Sequence, residues 1–215
     1  MLKVGIVGGT GYTGAELLRL LSAHPKVQLT AITSRGVSGP VGALFPHLSE
    51  RVLLRFSEPR LETLSQCDLV FFATPNGTAM TMARELLAAN VKVIDLAADF
   101  RLREVAVWER WYQLQHAAPE VVAQAVYGLP ELYKDSIRTA RIVANPGCYP
   151  TASCLGLLPL LQQPAVDLSH VIIDAKSGIS GAGRQPQQHL MLCEASENLN
   201  AYGRLRLRVT ESGIH

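Results

Sequence analysis

Residues 2 to 21 read LKVGIVGGTGYTGAELLRLL, an apolar run that passes through a glycine-rich turn into leucines at helical spacing. No other stretch limits the possible folds so far. The run 2–8 is apolar on consecutive positions, as a strand buried on both faces requires, while Leu17, Leu18 and Leu21 recur along one helix face. Pro25 ends that helix, because it supplies no amide hydrogen and its ring collides with the preceding turn. Between strand and helix, Gly8, Gly11 and Gly14 permit a tight turn and close backbone approach. The helix N-terminus offers free N–H groups and the positive end of a dipole, so a pyrophosphate is expected there, with Thr10, Tyr12 and Thr13 in the same turn. A glycine-rich turn with a purely structural role is the plainer alternative.

Further strand-like runs follow at 27–33 (VQLTAIT), 68–74 (DLVFFAT) and 91–97 (VKVIDLA), and residues 78–90 carry helical spacing. Alternating strand and helix predicts a parallel sheet covered on both faces, a doubly wound (Rossmann) α/β domain. Residues 36–60 are richer in Gly, Pro and Ser and read as a long connection with a short strand near RVLLRF. WERWYQLQHAAPE predicts an amphipathic helix and a turn; YPTASCLGLLPLLQQ predicts a helix with Pro150 in its first turn, followed by a strand over HVIIDAKS and a glycine-rich loop. The expected division is a nucleotide-binding domain over 1–147 and an incomplete α+β domain over 148–215.

A net charge of +2 with 18% charged residues gives no electrostatic grip on nucleic acid, so a small molecule is the expected partner. No window approaches the roughly 20 apolar residues of a membrane span, and the N-terminus enters a strand without a charged leader, so a cytoplasmic chain is expected. Cys67, Cys148, Cys154 and Cys193 form no C-x-x-C pair; reduced thiols and no metal site are expected.

The end of the second strand bears on the choice of dinucleotide. A chain that prefers NAD usually places Asp or Glu there for the ribose 2′-hydroxyl, whereas this one has Ser34 and Arg35, which suit the 2′-phosphate of NADP. A solvated loop cation is the alternative for Arg35. In ANPGCYPTA (144–152), Cys148 stands just before the predicted helix, where the dipole favours an anionic sulfur. A thiol nucleophile beside a nicotinamide suggests acyl transfer to sulfur, then hydride reduction of the thioester to an aldehyde. For Cys67, Cys154 and Cys193 the expectation is a small buried hydrophobe.

Taken together, GGTGYTGAELLRLL, Ser34–Arg35, DLAADFR (95–101), YGLPEL (127–132), NPGCYPTA (145–152) and SGISGAGR (177–184) resemble the N-acetyl-γ-glutamyl-phosphate reductases, relatives of aspartate-semialdehyde dehydrogenase, across residues 1 to 203. The resemblance implies NADPH-dependent reductive dephosphorylation of N-acetyl-γ-glutamyl phosphate to N-acetylglutamate γ-semialdehyde in arginine biosynthesis. It implies Cys148 as the nucleophile, the Gly8–Gly14 turn on the pyrophosphate, Ser34 and Arg35 at the 2′-phosphate, and Ser177 and Gly178 near the nicotinamide. Thr74, Pro75 and Asn76 fall where a dinucleotide crosses the sheet edge. Arg101 and Arg184 are candidates for the substrate's anionic groups, with structural salt bridges as the alternative. Asn145 is a candidate for substrate positioning or oxyanion stabilisation, or a turn residue; Tyr202 matches a position near the active site, or is a core aromatic.

After AYG the family pattern continues as His-Arg-His-x-Pro-Glu, whose last histidine is the acid/base partner of the cysteine. This chain reads RLRLRVTESGIH instead. A frameshift, an early stop or a cloning boundary near residue 203 is the expected cause, with neither His189 nor His215 in the family's context. The alternatives are then a non-catalytic dinucleotide-binding fragment, or a relative acting on an aspartyl or aminoadipyl phosphate. The homo-oligomer that the family forms is doubtful for this chain, and an exposed sheet edge with poor solubility is expected.

Overall fold

The computed structural model describes residues 1–161, 163 and 170–201. The chain divides into two compact units, Met1–Pro146 and Gly147–His215. In the first, β1 (Leu2–Val7) leads into helix α1 (Tyr12–Ser22) and β2 (Val27–Thr33). A small antiparallel ribbon of β3 (Gly39–Pro40) and β4 (Arg55–Phe56) follows, then β5 (Leu69–Phe72), α2 (Ala83–Ala88) and β6 (Lys92–Asp95). Helix α3 (Val105–Tyr112), β7 (Ala125–Tyr127), α4 (Pro130–Thr139) and β8 (Ile142–Ala144) complete it. The strands other than the ribbon form one parallel sheet in the order β2-β1-β5-β6-β8-β7.

Successive side chains on a strand point to opposite faces, and β1 divides the core accordingly. Ile6 packs with Leu18, Ile32, Val41, Phe45 and Phe56 on the α1 side. Val7 packs with Val70, Phe72, Leu86, Val93 and Trp108 on the α2 and α3 side. Both faces are covered, which is why Val4–Val7 of β1 and Leu69–Phe72 of β5 are apolar on consecutive positions. The chain goes from β1 out to β2, then returns to the far side of β1 with β5. That reversal opens a crevice at the carboxyl ends of β1 and β5, the place where such sheets bind ligands.

The region expected to be one helix over 78–90 is a 3₁₀ turn (Ala79–Thr81) followed by the short α2. The strand near RVLLRF is β4, two residues long. In the second unit, α5 (Cys148–Leu161) begins at Cys148 itself, one residue earlier than expected, with Pro150 in its first turn. The strand expected over 170–177 does not form: these residues belong to no strand, and Ile172 is 93% exposed. A strand needs a neighbour to accept and donate its ladder bonds, and the described residues offer it none. No helix among the described residues is long and apolar enough to cross a membrane.

Candidate functional site

The glycines of the first turn answer to different demands. Gly8 has φ +88°, and a Cβ there would lie 2.2 Å from the Ala73 carbonyl oxygen. A Cβ on Gly14 would lie 2.4 Å from Gly8 O, and one on Gly9, which the spacing pattern passes over, 2.1 Å from Ile32 Cδ1. The protein's own packing requires these three. Gly11 is another matter: its φ of −77° and ψ of 171° suit any residue, and a Cβ there would meet nothing within 4 Å. Gly11 is the N-cap of α1 and supplies no side-chain cap, so the first amides of that helix lack intrahelical acceptors and border open space. That is a cradle a phosphate fits.

The turn is tied to the end of β2 by Gly8 N–H and Gly9 N–H, which both donate to Thr33 O at 3.1 and 3.0 Å. Thr10 Oγ1 and Ser34 Oγ lie 3.3 Å apart, and Arg35, next in the chain, is exposed. Across the crevice, Thr74 Oγ1 is buried without a hydrogen-bond partner among the described residues. Its methyl carbon would lie 3.0 Å from a Cβ on Gly8, so this hydroxyl stands beside the glycine turn. Pro75 and Asn76 are exposed, and Asn76 Oδ1 accepts the Ala98 N–H at 3.1 Å.

Behind this loop lies a polar cluster that the sequence pattern did not single out. Asp95 and Asp99 are both fully buried. Asp95 accepts the N–H groups of Ala97 (3.0 Å) and Asp99 (3.1 Å); Asp99 accepts those of Gly77 (2.7 Å) and Met80 (3.1 Å). Burial, aided by the neighbouring Asp99 charge, pushes the Asp95 carboxyl up to about 7 against the opposing pull of its amide bonds and Arg101. Burial also raises Asp99, opposed by the amides of Gly77 and Met80. Trp108 Nε1 donates to Ala98 O at 2.7 Å. His116 Nδ1 accepts the Ala118 N–H at 3.1 Å, which leaves the ring proton on Nε2 for Asp99 O at 2.7 Å. The signal was present in DLAADF, two acids four residues apart in an otherwise apolar run.

Arg101 makes hydrogen bonds to backbone rather than to a carboxylate: Nε donates to Asn145 O at 2.6 Å and Nη2 to Leu96 O at 2.8 Å. It thereby joins the turn after β6 to the end of β8. Asn145 N–H donates to Asp95 O at 2.8 Å, and its Nδ2 to Pro146 O at 3.0 Å. In the second unit, Cys148 is exposed at the first position of α5, and the Thr151 N–H and hydroxyl both cap Gly147 O at 3.0 and 2.9 Å. Ser177 Oγ donates to Gly178 O at 2.9 Å; Ser177, Gly178 and Arg184 are all exposed. Cys193 is exposed too, contrary to the expectation of burial, while Cys67 and Cys154 are buried. Tyr202 and His215 lie outside the described residues.

Comparison with known proteins bears on both units. The family model "Semialdehyde dehydrogenase, NAD binding domain" matches residues 3–140, and "Semialdehyde dehydrogenase, dimerisation domain" matches 148–207. The N-acetyl-gamma-glutamyl-phosphate reductase of Nitrosospira multiformis is 60% identical over 204 residues, covering 94% of this chain and 60% of the relative. That of Aromatoleum aromaticum is 61% identical over 203 residues, covering 94% and 59%. The chain thus spans about three fifths of the length of these relatives. The solved aspartate semialdehyde dehydrogenase of Francisella tularensis matches at a TM-score of 0.54 and 17% identity, over 75% of this chain and 41% of that one. That of Candida albicans, solved with NADP, matches at 0.51 and 17%, over 75% and 47%. At such identities the likeness is one of fold. With the NAD-binding model covering most of the sheet unit and the dimerisation model taking up the chain at Cys148, this protein belongs to the semialdehyde dehydrogenase family.

Proposed function

We propose that this chain carries the machinery for NADPH-dependent reduction of N-acetyl-γ-glutamyl phosphate to N-acetylglutamate γ-semialdehyde through a thioester on Cys148. The observation that carries the reading is the exposed Cys148 thiol at the start of α5, in a chain whose Gly11 turn leaves room for a pyrophosphate. The choice of acyl phosphate comes from the name borne by relatives about 60% identical.

NADPH, when bound, supplies a hydride. The amides of Tyr12 to Gly14 hold its pyrophosphate, Ser34 and Arg35 its 2′-phosphate, and the Thr74 hydroxyl gains in the cofactor a partner that it lacks among the described residues. By the family pattern, Ser177 and Gly178 are proposed to approach the nicotinamide. The Cys148 sulfur attacks the acyl carbon; the C–S bond forms as the C–O bond to phosphate breaks, and phosphate leaves with the electron pair. The thioester carbon then takes the hydride, and the thiohemiacetal expels the sulfur to release the aldehyde. Arg184 and Tyr202 are proposed to bind the substrate, and Asn145 to position it. Arg101, with two donors already on carbonyls, acts on the substrate chiefly by fixing Asn145.

A second reading, dinucleotide binding without turnover, is favoured by RLRLRVTESGIH standing where the family pattern has its acid/base histidine. Loss of such a group costs about 10²–10⁴-fold in rate. Incubating the chain with N-acetylglutamate γ-semialdehyde, NADP and phosphate, and following NADPH absorbance beside Cys148→Ser, separates the two. Turnover abolished by the substitution supports the reductase; no turnover with NADPH bound supports the second reading; a chain that does not bind NADPH sinks both. Aspartyl and aminoadipyl semialdehydes assayed in parallel test the substrate.

A further inference from the structure

The loop that follows β5 is held from behind by groups that no nucleotide reading uses. Its amides at Gly77 and Met80 donate to the two carboxylate oxygens of Asp99, at 2.7 and 3.1 Å, across 22 and 19 positions of sequence. In the opposite sense, Asn76 Oδ1 takes the Ala98 N–H at 3.1 Å. Three bonds therefore stitch the 76–80 loop to the 97–99 turn. The turn is itself pinned: Asp95 accepts the amides of Ala97 and Asp99, Trp108 donates to Ala98 O, and His116 donates to Asp99 O. Gly77 has φ +90°, so the chain reverses at the residue whose amide Asp99 holds.

We infer that Asp99 is a positioning residue for the dinucleotide, its carboxylate fixing the 74–77 loop in the shape that presents the Thr74 hydroxyl and the Pro75–Asn76 backbone to the nicotinamide half of the cofactor. This rests on the dinucleotide reading above. Asp99 is fully buried and reaches the ligand only through the loop. One carboxylate whose two oxygens each take a separate loop amide suits such a clamp, since charge-assisted bonds are short and strong. Topology gives the clamp a one-sided effect. The adenosine 2′-phosphate half belongs at the end of β2, with Ser34 and Arg35, whereas the loop after β5 lies on the other side of the strand reversal.

The test measures the binding of NADPH and of 2′,5′-ADP to the full chain and to its Asp99→Ala and Asp99→Asn variants, well below their melting temperatures. Asp99→Ala is expected to weaken NADPH about tenfold or more, the loss of a preordered loop, while 2′,5′-ADP stays within about twofold. Asp99→Asn keeps one acceptor and is expected to fall between. Equal weakening of both ligands, or no change in NADPH affinity, overturns the assignment. Should the alanine variant not fold, native-state hydrogen exchange on Asp99→Asn decides: faster exchange at the Gly77 and Met80 amides is expected, and unchanged protection there overturns the clamp. A parent chain that binds 2′,5′-ADP but shows no added affinity for NADPH also overturns it. A parent chain that binds neither ligand overturns the dinucleotide reading itself, a result distinct from the others.

Discussion

A methyl group added at Gly8 would sit 2.2 Å from a carbonyl oxygen at a φ of +88°, whereas one added at Gly11 would meet no atom within 4 Å. Gly8→Ala is therefore expected to cost about 2 to 5 kcal/mol, combining left-handed strain with overpacking. Gly11→Ala changes only an N-cap and is expected to cost under about 1 kcal/mol. The order reverses for the ligand: in NADPH titrations Gly11→Ala loses affinity although its melting curve stays close to the parent's. An intact NADPH affinity in Gly11→Ala would mean that the phosphate does not need the open space beside that glycine. At Arg35, replacement by Ala is expected to weaken NADPH about tenfold while changing NADH little, since one charge-assisted phosphate contact is lost. Asp95 makes stability depend on pH. Its carboxyl is raised from 3.8 to about 7 in the folded chain, so the stability it contributes is complete below about pH 4 and is lost as pH rises through about 7. Melting temperatures across that range should fall for the parent relative to Asp95→Asn; parallel curves would refute the burial argument.

Among the elements, α3 shows how a helix can support a site that it does not line. Trp108 fills the core on the α2 side and sends Nε1 to Ala98 O at 2.7 Å, behind the loop that Asp99 holds. Trp108→Phe keeps most of the apolar volume but leaves that carbonyl without its donor, a loss of about 1–3 kcal/mol to be read from urea denaturation. The helix itself was legible in WERWY, because aromatic spacing along one face is a local property. The three-residue strand β7 was not: it carries too few positions for a period to register, and sheet pairing rather than propensity defines it. The error at 170–177 has the same root. HVIIDAKS has strand propensity, but propensity supplies no partner for the ladder.

Across the whole molecule, burial is distributed unevenly. The first unit buries most of its large apolar side chains, although Leu53 is 84% exposed, whereas in the second Ile172, Leu192 and Leu199 are 93%, 75% and 79% exposed. Helix α5 is apolar nearly all round, yet among its residues only Cys154 is buried. Exposed apolar surface of this kind drives association. Light scattering at micromolar concentration is expected to report a mass above the 23.3 kDa of one chain, and Ile172→Lys with Leu192→Lys to lower it; a monomer with no dye-accessible apolar surface would contradict this.

The sequence by itself determined the entry into the sheet, the glycine turn on α1, the cysteine at the start of α5 and the family. Each of these is written in a few consecutive residues, within reach of local sterics and helix geometry. The tertiary structure decided that Asp95 and Asp99 are buried acceptors, that Asn76 gives its side-chain oxygen to a turn 22 residues away, and that Arg101 serves a carbonyl 44 residues away. A polar side chain is assigned by whichever partner satisfies it after burial, and that partner is chosen when distant strands come side by side.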